Sequence, residues 1–193
     1  RSVSAFLLNR SSDLLVMSSM LGGRSGNRGE CAGCCRLPYT LKKDGKIICD
    51  SQYLLSMKEL NTSSQINRLL DSTIYSFKIE GRMKGPLYVG FITEFYRKLI
   101  DGSIIDFNQM TSQLKTIFNR EFTLGHLFGV NDANNIHSLS PNHVGLEIGK
   151  AFTKKNKIKI VLHDGCELHQ HDSIRFLHSN KGMVVNYLYD QDM

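Results

Sequence analysis

The sequence contains no tryptophan and only three prolines. It has no apolar run near the roughly twenty residues that a membrane-spanning helix needs, so we expect no membrane span. The H-E-x-x-H and G-x-S-x-G patterns of zinc peptidases and serine hydrolases are also missing. The tyrosines are dispersed and do not outline a platform for stacking nucleic-acid bases. These absences argue against a membrane protein and against two familiar hydrolytic mechanisms.

Positive charge is in excess. Lysine and arginine number 24 against 18 aspartate and glutamate residues, which gives a formal net charge of +6 over 193 residues. Such a balance favours polyanionic partners such as RNA. The five cysteines are odd in number, and three crowd into one segment, which does not suit the disulfide framework of a secreted protein. A reducing, cytoplasmic setting fits better.

Residues 17–39 form the most distinctive stretch, Met-Ser-Ser-Met-Leu-Gly-Gly-Arg-Ser-Gly-Asn-Arg-Gly-Glu-Cys-Ala-Gly-Cys-Cys-Arg-Leu-Pro-Tyr. Its glycines allow positive φ angles and close backbone approach. Arg24 and Arg28 supply forked, permanently charged donors suited to phosphate or carboxylate. The pattern predicts an anion-binding loop that is poor at forming a regular helix. A solvated connection without function is the alternative.

Alternating helical and β-like patterns indicate an α/β protein. Asp44-Gly45 lies between two β-prone runs and predicts a hairpin turn. Helices are predicted at about 87–100, directly after Pro86, and at 109–122. Short strands are predicted at 53–56, 76–80, 144–152, 157–162, 173–177 and 183–189.

Several motifs occur in an order that resembles a known family. The pattern M-S-S-x-x-G-G-R-S-G-N-R-G-x-C-A-x-x-C-R-x-P-Y is followed by Tyr-Leu-Leu-Ser at 53–56 and by Lys-Ile-Glu-Gly-Arg-Met-Lys at 78–84. Weaker agreement continues through Phe-Asn-Arg-Glu-Phe at 118–122. Together these motifs resemble the peptidase U32 (collagenase-like protease) family, some of whose members are tRNA hydroxylation proteins.

The resemblance implies the C-terminal part of a TIM-like barrel followed by a small all-β module. We expect a partial α/β barrel at 1–102, a helical and loop connector at 103–142, and the β module at 143–193. A complete barrel typically takes about 250 residues, so this one would be incomplete. The chain starts without an initiator methionine or a signal-peptide pattern, so we expect a fragment. Its open sheet edge would meet a missing N-terminal barrel half or a second copy.

The resemblance also implies a [4Fe–4S] cluster held by four cysteines. The family's first two ligands fall on Leu8 and Leu15 here, and leucine cannot bind iron. Cys31 and Cys35 match the family's C-A-x-x-C, whereas Cys34 stands where relatives usually have proline. Cys31 and Cys35, with Cys34 as a third thiol, are therefore candidate metal ligands, but an intact cluster is not expected.

The Lys-Ile-Glu-Gly-Arg-Met-Lys motif ends a predicted strand and precedes a helix, where α/β barrels place their working residues. We predict catalytic roles for Glu80, as a general base or an orienting carboxylate, for Arg82, as an anion clamp, and for Lys78. An Arg–Glu pair that only holds the end of the strand is the alternative. The predicted substrate-binding residues are Arg24, Ser25, Asn27, Arg28 and Arg36.

Three functions stay open. The resemblance implies a protein of the tRNA hydroxylation type, acting at the wobble uridine, with tRNA and a small carboxylate such as prephenate as partners. The alternative that the resemblance implies is the family's historical activity, a collagenase-like peptidase. A non-catalytic binding or assembly fragment is the third function, and the sequence leaves open whether this chain is an enzyme by itself.

Overall fold

The computed structural model describes residues 4–5, 12–81, 84–129, 135–154, 157–177 and 181–189. The chain divides into two compact units, Arg1–Gly145 and Leu146–Met193. Among the described residues, no helix is both long and apolar enough to cross a membrane.

The described residues of the first unit form four α-helices: α1 (Ser12–Gly22), α2 (Ile66–Leu70), α3 (Pro86–Ile100) and α4 (Phe107–Ile117). The predicted helix after Pro86 is confirmed as α3, with the proline in its first turn. Helix α4 begins earlier than predicted because the Asp106 carboxylate accepts a hydrogen bond from the Gln109 backbone N–H at 2.9 Å. It ends at Ile117 rather than 122, since Phe118 adopts an extended conformation.

Helix α1 corrects the prediction that the whole of 17–39 is a loop. Met17 to Gly22 belongs to this helix, which ends at Gly23 in the left-handed region with a φ of 67°. The irregular backbone expected from the glycines therefore starts only after α1. Two short 3₁₀ turns follow there, at Gly26–Arg28 and Cys34–Arg36.

Where the first unit is described, its strands form three two-stranded sheets. Strands β1 (Ser4–Ala5) and β5 (Ser76–Phe77) are parallel, as are β4 (Glu59–Leu60) and β6 (Phe122–Thr123). The predicted hairpin is confirmed: β2 (Tyr39–Lys43) and β3 (Lys46–Gln52) are antiparallel, and Asp44 and Gly45 between them both have positive φ.

Two strand predictions in this unit need correction. Residues 53–56 form a tight turn instead of a strand, in which the Ser56 N–H donates to the Tyr53 carbonyl at 2.9 Å. The strand predicted at 76–80 pairs only over Ser76–Phe77. No described sheet exceeds two strands, so the incomplete TIM-like barrel stays a prediction.

The core of the first unit lies between α3 and α4. Phe95 and Leu114 are almost fully buried, and Ile92 and Met110 complete the buried cluster. The ring of Phe95 packs at 5.6 Å from that of Phe107, between centroids. The amphipathic stripes of the two helices face each other, so burial of their apolar side chains holds α3 against α4.

In its described residues the second unit contains two antiparallel hairpins, whose strands overlap the predicted β-like runs, although the last strand ends at Val184 and does not reach Tyr189. Strands β7 (Gly149–Lys154) and β8 (Lys157–Leu162) form one, and β9 (Ser173–Phe176) and β10 (Lys181–Val184) form the other. Gly149 is required at the start of β7, because a Cβ atom there would lie 2.2 Å from the Val161 carbonyl oxygen.

Leu114→Ala should lower the free energy of unfolding by about 2–5 kcal/mol, because it leaves a cavity between α3 and α4. The matched control is Leu139→Ala, since the Leu139 side chain is 76% exposed and that of Leu114 only 1%. The control should change stability by less than about 0.5 kcal/mol. Urea unfolding followed by circular dichroism measures both, and equal losses would contradict the placement of the core.

Candidate functional site

A single buried hydroxyl closes the glycine-rich loop. Ser18 in α1 is fully buried. Its Oγ donates to the Arg24 carbonyl at 2.7 Å and accepts from the Ala32 N–H at 2.8 Å. Both ends of the 24–32 segment are thereby fastened to one helix position, which accounts for a serine in the Met-Ser-Ser motif.

Inside the loop, Ser25 organises a compact turn. Its carbonyl accepts hydrogen bonds from the backbone N–H groups of Arg28, at 3.2 Å, and Glu30, at 3.0 Å. Gly29 takes a φ of 85°, which a glycine adopts without strain. The Arg24 and Arg28 side chains are exposed, and neither forms an ion pair with any described residue. The side chain of Asn27, also predicted to bind substrate, lies outside the described part of the structure.

Arg36 is the last residue of the second 3₁₀ turn, and its side chain points back into the protein. Its Nη1 donates to the Ser56 Oγ at 2.6 Å and to the Met57 carbonyl at 2.9 Å. Ser56 is fully buried. Arg36 therefore ties the loop to the turn at 53–56, in contrast to the exposed guanidinium groups of Arg24 and Arg28.

Beyond that turn, Glu59 on β4 is shared by two cations. Arg120 donates to Glu59 Oε1 from Nε at 2.5 Å and also from Nη2. The Lys84 Nζ lies 3.3 Å from the same oxygen. The side chains of all three residues are mostly buried. Two cations and one carboxylate leave a net positive charge at this point.

The Phe-Asn-Arg-Glu-Phe motif explains how Arg120 reaches Glu59. Asn119 is buried, and its side-chain oxygen accepts from the Glu121 N–H at 2.7 Å. Its Nδ2 donates to the Gly145 carbonyl at 2.7 Å. Glu121 takes a φ of 60°, a turn that brings the chain into β6 beside β4. Glu121 pairs in turn with Lys58 at 2.6 Å.

A cleft of about 370 Å³ opens next to this charge cluster. Lys84 lies at its edge, with its Nζ 2.8 Å from the ring centroid of Phe118. Tyr88 meets Phe118 edge to face, at 6.0 Å between centroids. The remaining lining residues come from the start of α3 and the end of α4: Gly85, Leu87, Thr116 and Ile117. A cation at an aromatic wall suits an anion that carries an apolar body.

Burial shifts the pKa of two titratable side chains that line the cleft. It lowers the pKa of Lys84 to about 8, with Glu59 opposing the shift and the charges of Arg120 and Arg36 adding to it. Burial also raises the pKa of Tyr88 to about 12, so its phenol stays protonated. The cleft therefore offers a hydroxyl donor and an ammonium whose charge changes near physiological pH.

The Lys-Ile-Glu-Gly-Arg-Met-Lys motif is divided between two places. Lys78 and Glu80 form an exposed ion pair at 2.9 Å. Arg82 lies outside the described residues. Gly81 is needed for packing, because a Cβ atom there would lie 2.7 Å from the Val89 Cγ2 on α3. Of the motif residues that the structure describes, Lys84 is the one that reaches the charge cluster.

Sequence reasoning missed the three residues that the structure brings together, Lys84, Glu59 and Arg120. Lys84 is the last residue of the 78–84 motif, and Arg120 lies within the 118–122 motif, so the sequence contained a signal for both. Glu59 carried none, because its role depends on the β4–β6 pairing. Among the described residues, no hydrogen bond or ion pair joins Arg24 or Arg28 to Glu80, so a single site built from the predicted binding and catalytic residues stays a prediction.

The metal-ligand role predicted for Cys31 and Cys35 stays a prediction. Cys34 is buried, whereas Cys31 and Cys35 are half-buried, and all five cysteines are free. The Gly33 N–H donates to the Cys31 Sγ at 3.4 Å. No three potential metal ligands converge among the described residues, whereas a [4Fe–4S] cluster needs four. Leu8 and the Leu15 side chain lie outside the described part. The three thiols of the 31–35 segment are one fewer than such a cluster requires.

Comparison with known proteins places these motifs in context. A 23S rRNA 5-hydroxycytidine C2501 synthase from Escherichia coli is 48% identical over 83 residues, 42% of this chain and 13% of that protein. A collagenase from Porphyromonas gingivalis is 32% identical over 174 residues, 83% of this chain and 48% of that protein. The tRNA hydroxylation protein P1 from Bacillus subtilis is 36% identical over 98 residues, 47% of this chain and 23% of that protein.

The chain spans about half the length, or less, of these curated relatives. No solved structure gives a significant match. The model of the family described as peptidase family U32 matches residues 9–137, two thirds of the chain. Because this match covers more than half of the chain, the chain belongs to peptidase family U32.

Proposed function

We propose that this chain is part of a cytoplasmic U32 protein of the RNA-hydroxylation type, acting on the wobble uridine of tRNA. In this proposal the Arg24–Arg28 loop binds RNA phosphate, and the cleft at Lys84 holds a small carboxylate such as prephenate. The observation that carries the proposal is the pair of exposed arginines, without carboxylate partners among the described residues, on a loop fastened at both ends. Relatives named for rRNA and tRNA hydroxylation support it.

The geometry of the loop suits phosphate. A guanidinium group presents a planar fork of donors that matches two phosphate oxygens. Because Ser18 holds both ends of the loop, its backbone does not have to be ordered when RNA binds, and the entropic cost of binding is reduced. Phosphate contacts also release counterions, so affinity should fall steeply with salt concentration.

The cleft suits a different anion. Its volume of about 370 Å³ is at the small end of ligand sites. Tyr88 and Phe118 supply an aromatic wall, and Lys84 places positive charge on it. Glu59 neutralises only one of its two cationic neighbours, Lys84 and Arg120. A small carboxylate with a six-membered ring would complete the charge balance and fill the apolar space.

A collagenase-like peptidase is the second candidate function. The observation in its favour is the similarity to the Porphyromonas gingivalis collagenase across 83% of this chain. Gelatin cleavage by the purified chain, with no tRNA binding, would favour this function over the first. The absence of both activities would favour the third candidate, a binding or assembly fragment.

Arg24→Ala/Arg28→Ala should weaken tRNA binding by about tenfold or more and reduce its salt dependence, because two phosphate contacts are lost. Filter binding over a range of salt concentrations measures both quantities. The matched control, Arg97→Ala/Lys98→Ala, removes two charges that already pair with Asp101 and Glu94 on α3 and its end. Equal affinity of the loop variant and the wild type would contradict the role of the loop.

Ser18→Ala should weaken tRNA binding and lower the free energy of unfolding by about 1–3 kcal/mol, since the Ala32 N–H and the Arg24 carbonyl lose a buried partner. Ser19→Ala is the control, because the Ser19 hydroxyl is exposed and lies 3.5 Å from the Arg24 carbonyl oxygen. Thermal unfolding and filter binding compare the two. Indistinguishable behaviour of the variants would show that the loop does not depend on Ser18.

Carboxylate binding in the cleft should weaken as the pH rises through about 8, where the Lys84 ammonium loses its proton. The affinity should fall by up to about tenfold per pH unit above that value. Lys84→Arg should bind with little pH dependence, because arginine stays protonated. Titration calorimetry with prephenate and with phenylpyruvate measures this. A wild-type affinity that stays constant between pH 7 and pH 9 would contradict the role of Lys84.

A further inference from the structure

The first hairpin of the second unit has an unusual distribution of charge. Residues 149–162 contain five lysines and no aspartate or glutamate. The described lysines are spread over both strands: Lys150 and Lys154 on β7, and Lys157 and Lys159 on β8. None of these four forms an ion pair with a carboxylate in the described part of the chain.

The register of the hairpin places all four lysines on one face. Lys150 lies opposite Val161, and Lys154 lies opposite Lys157. Phe152 lies between them, opposite Lys159. Because directly opposed residues share a face, and alternate residues along a strand do as well, these side chains form one surface. The other face carries Gly149, Ala151, Thr153, Ile158, Ile160 and Leu162. We call the first surface the lysine face.

Aromatic rings lie within and beside the lysine face. The Phe152 side chain is 47% exposed at the centre of the face. Tyr189 is 79% exposed, and its ring centroid lies 5.6 Å from the Lys157 Nζ. Exposed rings between cations suit the binding of single-stranded nucleic acid, since bases stack on the rings and phosphates contact the cations.

The arrangement is unfavourable for the isolated hairpin. Like charges directly opposite each other destabilise an antiparallel pair, and Lys154 and Lys157 are such a pair. A solvated face with alternating charges would avoid this repulsion. A polyanion bound to the face would relieve it, so the charge pattern complements a phosphate backbone.

We propose that the lysine face is an RNA-docking surface of the second unit, which binds single-stranded RNA. Lys150, Lys154, Lys157 and Lys159 contact successive phosphates, and Phe152 stacks on a base, with Tyr189 available for a second. The inference rests on the proposed function, because it assumes that the substrate is RNA. It adds a surface that is separate in sequence from the Arg24–Arg28 loop.

The first test removes charge from the face. Lys150→Gln/Lys154→Gln/Lys159→Gln in the full chain should weaken binding of a fluorescein-labelled single-stranded RNA and lower the slope of log affinity against log salt by about two, at roughly 0.7 per phosphate contact. Lys42→Gln/Lys43→Gln/Lys46→Gln is the matched control, because it removes three exposed lysines from the β2–β3 hairpin. Fluorescence anisotropy measures both.

The second test detects stacking directly. The chain has no tryptophan, so Phe152→Trp introduces a single indole whose emission reports its surroundings. Thr153→Trp places the same indole on the opposite, exposed face of the strand. RNA should quench the emission of the Phe152→Trp variant and leave that of the Thr153→Trp variant nearly unchanged. Phe152→Leu should weaken binding by at least about fivefold.

The outcomes separate the two proposals. If the wild type binds RNA and both triple variants lose affinity equally, or both indoles respond equally, the docking surface is refuted and the proposed function stands. If the wild type binds no RNA at low salt, both are refuted. Heparin that competes with RNA but leaves the Phe152→Trp emission unchanged would confirm that the quenching comes from bases rather than from charge.

Discussion

The carboxylate of Glu59 is the interaction on which the candidate site depends. It receives Arg120 from the segment before β6 and Lys84 from the segment before α3. Arg120 is 61 residues away from Glu59 in sequence and Lys84 is 25 residues away. Because the three groups are largely buried, each cation needs the carboxylate to offset the cost of leaving water. One acidic side chain thus fixes how β4, β6 and the start of α3 meet.

The same carboxylate sets the chemistry of the cleft. Its single charge cannot satisfy both cations, so an unbalanced positive charge remains against the Phe118 ring. Desolvation brings the pKa of the Lys84 ammonium close to physiological pH. A group in that condition is typical of functional sites, although structural ion pairs also produce it. Here the adjoining cleft favours the functional interpretation.

Local signals in the sequence predicted the elements that depend on neighbouring residues. Pro86 and the apolar stripe gave the position of α3, and Asp44-Gly45 gave the β2–β3 turn. Prediction was wrong where distant contacts decide. Residues 53–56 have a β-prone composition but form a turn, which Arg36 holds through Ser56. The segment 17–22 is helical, and its Ser18 is buried against the loop that follows. Glu59 and the lysine face could not be found without strand pairing and register, which no local pattern contains.

The double hydrogen bond of Ser18 has a consequence for how this loop can vary. It closes the segment from Arg24 to Ala32 into a ring, and the number of residues between the two hydrogen bonds sets the size of that ring. Side chains along the ring can be exchanged without disturbing the closure. A residue inserted or deleted inside it would move one anchor out of reach of the hydroxyl. Homologous loops that keep this serine should therefore differ in composition far more readily than in length.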